Sequence, residues 1–269
     1  MNNYLKYKLK HFINIICLII IMKYILISLI AIIAISCNHQ KQGQNTDNNK
    51  SILQNRDQIS ILLIVPNSLE NRREELQSYV NAARKNIRNF SEKYGWEGLS
   101  KEEFMDSVII FDDKNHFNLT LLKLAEADTT MKLPDTYCAA LEKRTLVAVT
   151  PEFYSKVYPD GIEERSFEKL LTHEIAHRLH VRILKGDEEA MGPIWFYEGF
   201  AMYTANQFSK SDIILNKEEI INIMKDPDRG SYVKYNYIFR NFVKTIPLKE
   251  FIIKANNKNF NEELILMLN

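Results

Sequence analysis

"LLTHEIAHRLH", residues 170–180, sets two histidines four positions apart with a glutamate directly after the first. At about 100° per residue, His177 lies about 40° around a helix from His173 and Glu174 about 100°. Leu171, Ile175 and Leu179 fall near 160°, 200° and 240° on the same wheel, roughly opposite the histidines. The stretch therefore predicts a helix with two working faces, one apolar and meant for a core, the other presenting two imidazoles a single turn apart. That separation lets two neutral nitrogen donors reach one tetrahedral ion. Glu174, turned away from the histidines' bond direction, is placed to take a proton from a water beside such an ion.

Two residues compete to be the third ligand. His180 lies on the same face, one turn further on, but three donors on one straight helix do not easily surround an ion, so it reads as a packing histidine or a support for a ligand. The sequence lacks the later Gly and His of the metzincin motif. The other candidate is Glu198, 21 residues beyond His177 in "GPIWFYEGFAMY", residues 192–203. Pro193 suits a first helical turn, and Trp195, Phe196, Phe200 and Met202 make the helix apolar around the carboxylate. A carboxylate buried there without a partner is costly, and an ion would neutralise it. Gly199 costs about 1 kcal/mol relative to Ala within a helix, which predicts that something approaches closely there. The alternative is an ion pair between Glu198 and a nearby lysine or arginine.

HEIAH followed by WFYEGFA resembles the gluzincin metallopeptidases, the peptidase MA-like superfamily of thermolysin and related aminopeptidases. The resemblance implies a zincin-like fold, one Zn2+ ion held by His173, His177 and Glu198, and Glu174 as general base. "SYVKYNYIFRNFV", residues 231–243, is similar to the Y-x-K-G segment of the aminopeptidase branch. On that match Tyr232 steadies the developing oxyanion and Lys234 is the lysine; Tyr235 stands where the family has glycine, and Tyr235 and Tyr237 are rivals for the tyrosine's role. The strand "TLVAVT", residues 145–150, sits where the family keeps the edge strand that binds substrate main chain. The family's G-x-M-E-N motif has no counterpart before the HEIAH helix, which points to an endopeptidase acting on peptide or protein substrates. The competing reading is a catalytically inactive protein that keeps the peptidase fold as a binding or assembly module.

Working outward, residues 1–37 carry four lysines, no acidic residue and long apolar runs. From Met22, a second possible start, a charged Lys23 precedes an apolar run from Tyr24 to Ile35, too short to span a bilayer but suited to a signal-peptide core. "AIIAISCN", residues 31–38, resembles the lipobox of bacterial lipoproteins, which implies lipidation at Cys37. The alternative, an anchor helix over residues 12–35, would set Lys23 mid-membrane at a cost of several kcal/mol. Both place the domain on a membrane, outside the cytoplasm, in a bacterial cell envelope. Of Cys17, Cys37 and Cys138 only the last stays free after processing, which excludes a disulfide framework. Without residues 1–37 the chain has 31 basic against 34 acidic residues, a net charge of −3, and nothing indicates a nucleic-acid partner.

Residues 38–58 read as a polar tether and 59–269 as the domain. "ISILLIVP", residues 59–66, reads as a buried strand closed by Pro66, and Asn67 or Ser68 then caps a long helix ending near Tyr94 and Gly95. Residues 107–111 and 145–150 are further strands, and beyond Gly161 the apolar spacing is helical, with one or two closing helices after "IPLKEF". This order predicts an α+β fold: a small mixed sheet with an antiparallel edge strand, packed on a mostly helical half that carries the HEIAH helix.

Overall fold

Short runs of β-branched and small apolar residues form one four-stranded mixed sheet: β1 (Leu62–Ile64), β2 (Ser107–Phe111), β3 (Ala139–Glu142) and β4 (Thr145–Val149). A computed structural model of the chain describes residues 61–268. The expected signal peptide and tether, with Met22 and Cys37, lie outside the described residues. The strand order is β1-β2-β4-β3; β1, β2 and β4 run parallel, and β3 is antiparallel to β4. The architecture is α+β, with the sheet formed first in the chain and helices dominating after residue 161.

Two expectations about the sheet are corrected. "TLVAVT" is not an edge strand: β4 lies between β2 and β3, with Leu146, Val147 and Ala148 fully buried. The antiparallel edge is β3, a strand that the sequence pattern does not announce. The strand at residues 59–66 is not buried on both faces either, because β1 is the opposite edge; Leu63 is covered while Leu62 and Ile64 are 60% and 41% exposed.

The hairpin that forms β3 lacks the usual turn residues. Lys143 and Arg144 make the two-residue turn with φ of 45° and 64°, a left-handed geometry normally left to Asn and Gly. Such a backbone costs roughly 1–2 kcal/mol per non-glycine residue. Arg144 offsets it by a two-pronged bond to Asp106, at 2.9 and 2.6 Å, and a bond to the carbonyl of Glu103 at 3.0 Å.

The expected long helix begins later than its sequence suggests. A 3-10 turn, Asn67–Arg72, precedes α1 (Arg73–Lys93), and Gly95 ends it at φ +66°. Ser68 does not cap it, because its hydroxyl donates instead to Asp112 beyond β2. Two short helices flank the hairpin: α2 (Lys114–Leu124), capped by Asp113 accepting from the amide of His116, and α3 (Pro151–Val157), capped by Thr150.

The helical half begins with α4 (Ser166–Ile183), which carries the HEIAH residues, and α5 (Ile194–Ala205), which carries Glu198. Pro193 occupies the capping position of α5 rather than its first turn. Then come α6 (Lys217–Lys225), α7 (Tyr232–Phe242) and two closing helices, α8 (Leu248–Lys254) and α9 (Phe260–Leu266). Helix α4 packs on α1, α5 and β3, and α5 packs on both α4 and α7. Aromatic rings fill the space behind α5: Phe196 lies 4.8 Å from Phe251 and 5.1 Å from Phe260, and Trp195 stacks on Phe260.

The close approach expected at Gly199 is made by α7. A β-carbon there would meet Cβ of Phe239 at 2.7 Å, well inside contact distance. Gly199→Ala is therefore expected to destabilise the domain by about 1–3 kcal/mol, even though Ala is the better helix former. Urea unfolding checks this: an unchanged or raised midpoint would show that α5 and α7 can part freely.

Candidate metal centre

Helix α4 aims His173 and His177 at α5, where Glu198 points back between them. The Nε2 atoms of the two histidines are 3.1 Å apart, and Glu198 Oε2 lies 3.1 Å from the first and 3.6 Å from the second. Ligands bound tetrahedrally at about 2.0–2.1 Å sit roughly 3.3 Å from one another, so these three atoms already have the spacing of one face around an ion. Among the described residues, His173, His177 and Glu198 form the only group of this kind that could hold a metal.

The surrounding bonds fix the chemistry of each donor. Gln207 Oε1 lies 2.9 Å from His173 Nδ1; acting as acceptor, it holds the proton there and leaves Nε2 as a bare lone pair. The main chain of Gln207 is itself held by Asn236 of α7, whose side-chain amide donates to the Gln207 main-chain carbonyl at 3.0 Å. Two imidazole lone pairs and a carboxylate then converge on one point, an arrangement that repels itself without a cation or a proton between them.

Glu198 is 2% exposed. Burial alone would raise its carboxyl, but the bonds to His173 and His177 win and hold it well below the usual carboxylate range. Burial disfavours charge on His173, yet Glu198, Glu174 and Gln207 together raise it. The alternative weighed for Glu198, an ion pair, is present as well: Arg229 Nη2 sits 2.9 Å from Oε1. Glu198 thus divides its two oxygens, one toward the histidines and one toward Arg229.

Glu174 is half-buried, and burial followed by the nearby charge of Glu198 outweighs the histidines to push its carboxyl up. It lines one cavity of about 900 Å³ together with His173, His177, Glu198, Tyr232 and residues 137–142, which include all of β3. Tyr232, the first residue of α7, accepts from Arg229 Nη1 at 3.0 Å, and its ring centre is 6.0 Å from that of His173. Burial, then Glu198, raises its phenol, which stays a hydrogen-bond donor at any working pH. Of its rivals, Tyr235 is engaged elsewhere. Its hydroxyl accepts from the amide of Gly230 and donates to the carbonyl of Asp228, pinning the loop that carries Arg229. Neither Tyr237 nor Lys234 lines the cavity.

Arg229 and Gln207, and the cavity-lining Tyr137 and Tyr197, whose ring centre is 5.9 Å from that of His177, are not singled out by the sequence. Only Tyr197 carried a local signal, as the neighbour of Glu198; the rest arrive through loop and helix-end geometry. Comparison of the chain with protein-family profiles, curated proteins and solved structures finds no match.

His180 does not join the donors. It is fully buried beside Phe200, ring centres 4.5 Å apart, and neither ring nitrogen has a hydrogen-bond partner among the described residues. Burial pushes it down to about 3. It stays neutral in the fold while the unfolded chain takes up a proton below about pH 6.5, so this contribution is complete above that pH and declines toward pH 3. Urea midpoints measured between pH 4 and 7 should fall with acid in the parent and fall less in His180→Phe. Parallel curves would exclude His180 as a source of the slope.

Proposed function

We propose that the domain is a zincin-like, zinc-dependent peptidase, held at the outer side of a bacterial membrane through Cys37 and cutting within extended peptide or protein chains. The observation that carries this reading is the joint placement of three ligand atoms, the half-buried Glu174 and an antiparallel edge strand around one cavity. His173, His177 and Glu198 would hold the zinc. When bound, the ion supplies a Lewis acid that acidifies water toward neutrality and polarises a carbonyl.

The chain's own residues do the rest. Glu174, whose carboxyl is raised by burial above the usual range, takes the proton of the attacking water and passes it to the leaving nitrogen. Tyr232 donates a hydrogen bond to the oxygen where negative charge develops. The outer edge of β3 holds the substrate main chain by backbone bonds, which needs little side-chain selection. Arg229 keeps Glu198 Oε1 occupied, leaving Oε2 for the ion, and Gln207 fixes the ring of His173.

One observation favours the other reading, a binding or assembly module. The Arg229–Glu198 pair supplies the buried carboxylate with a cation of its own, so the cluster has a structural partner already. Metal content separates the two. Purified protein should carry about one zinc per chain, and Glu198→Ala much less. Glu174→Gln should keep the zinc and lose about 10²–10⁴-fold in cleavage of an unfolded protein. No zinc in either protein after metal is offered would promote the module; full activity in Glu174→Gln would remove the proposed base.

A further inference from the structure

The outer side of β3 lines the cavity, with Ala139 and Leu141 only 6% and 5% exposed, and its main-chain groups are unpaired over only part of its length. Val149 donates its amide to Cys138 O at 2.9 Å, and Ala140 pairs with Val147. In an antiparallel ladder alternate residues turn their main-chain groups to the same side. Cys138, Ala140 and Glu142 therefore face β4, whereas Tyr137, Ala139 and Leu141 face away from it, along the cavity they line.

Side chains occupy both ends of that outward row. Arg178, the residue after His177, places Nη2 at 2.7 Å and Nε at 3.2 Å from Leu141 O, one donor for each lone pair. Glu188 holds the third nitrogen at 2.9 Å, and Glu142 lies 3.5 Å away. At the other end Lys114 donates to Tyr137 O, and the Tyr137 amide is spent on Pro134 O. The outward groups with no partner among the described residues are Ala139 N–H, Ala139 C=O and Leu141 N–H.

We propose that Arg178 and Lys114 are specificity-determining caps that limit β3 to gripping about three residues of a bound peptide, running antiparallel to it. The peptide residue opposite Ala139 exchanges two hydrogen bonds with it. The residue two places earlier gives its carbonyl to Leu141 N–H, but its own amide meets the Arg178 guanidinium and has no acceptor. Longer segments gain nothing from the edge. The proposal rests on the peptidase reading insofar as a peptide occupies the cavity.

Its signature is a count of sensitive amides. Binding of a labelled extended peptide of about eight residues, rich in Thr and Val, is measured by fluorescence anisotropy on full-length Glu174→Gln protein. Each amide is N-methylated in turn. One position should lose roughly 3–10-fold in affinity, the amide that donates to Ala139 O. Adding Arg178→Met frees Leu141 O and should create a second sensitive position two residues nearer the peptide's N-terminus. Lys114→Met, an independent variant should the first not fold, frees Tyr137 O and should create one two residues nearer the C-terminus. Two sensitive amides in the parent, an unchanged profile in both variants, or no peptide binding at all would overturn the proposal. Because binding is read, a failure of the unaltered protein to hydrolyse peptides counts against the peptidase reading alone.

Discussion

A carboxylate buried at the middle of an apolar helix must be compensated, and the arrangement around Glu198 is built to do so. Its 2% exposure leaves it no solvent, and the rings behind it, Phe196 and Phe200, offer no polar partner. Compensation comes from two directions: the imidazoles of α4 on one side and Arg229 on the other. Each needs a close helix contact. Gly199 lets Phe239 approach α5, and α7 then delivers Tyr232, Asn236 and, through Tyr235, the loop of Arg229.

The sheet matters to the site mainly through α4. Two arginines one turn apart on that helix reach main-chain carbonyls of the sheet half: Arg178 on Leu141, and Arg182 on Leu99, Glu102 and Glu103 at 2.7–2.9 Å. Arg182 also lies over the ring of Phe104 at 3.9 Å. A guanidinium with several fixed donors resists sliding more than an apolar contact does. The pair sets the height of α4 against β3, and hence where His173, Glu174 and His177 stand relative to the strand edge. Arg178 belongs to the same helical turn as His177, so helix anchoring and closure of the edge are one contact.

The site residues were legible because the four-residue spacing of His173 and His177 sets them one helical turn apart, and because Glu198 stands alone as a carboxylate in a run of apolar residues. The α+β division was legible in the apolar spacing, which turns helical beyond Gly161. What stayed hidden depends on contacts between segments far apart in sequence. A turn made of Lys143 and Arg144 carries no turn signal; the bonds of Arg144 to Asp106 and Glu103 and of Lys143 to Glu126 help hold it, and without it β3 cannot be seen and β4 reads as an edge. Ser68 looks like a cap until Asp112 claims its hydroxyl. Arg229 lies in an ordinary polar loop, "DPDRGS", and gains its meaning from a glutamate 31 residues earlier in the chain.

The charge on the site explains why Arg229 and a divalent ion need not exclude each other. With both imidazoles neutral, Glu174 and Glu198 ionised and Arg229 protonated, these five groups together carry a net −1. Arg229 alone neutralises one oxygen of Glu198 but leaves the two Nε2 lone pairs and Oε2 converging at 3.1–3.6 Å, so the local repulsion remains. Protonating an imidazole would relieve it, and the raised His173 is the mark of that pressure. A divalent cation at the same point would relieve it without burying a proton and would leave these five groups net positive, the sign that favours an oxygen acquiring negative charge. Held by Arg229, Oε1 would not be offered to such an ion, and Glu198 would present Oε2 alone.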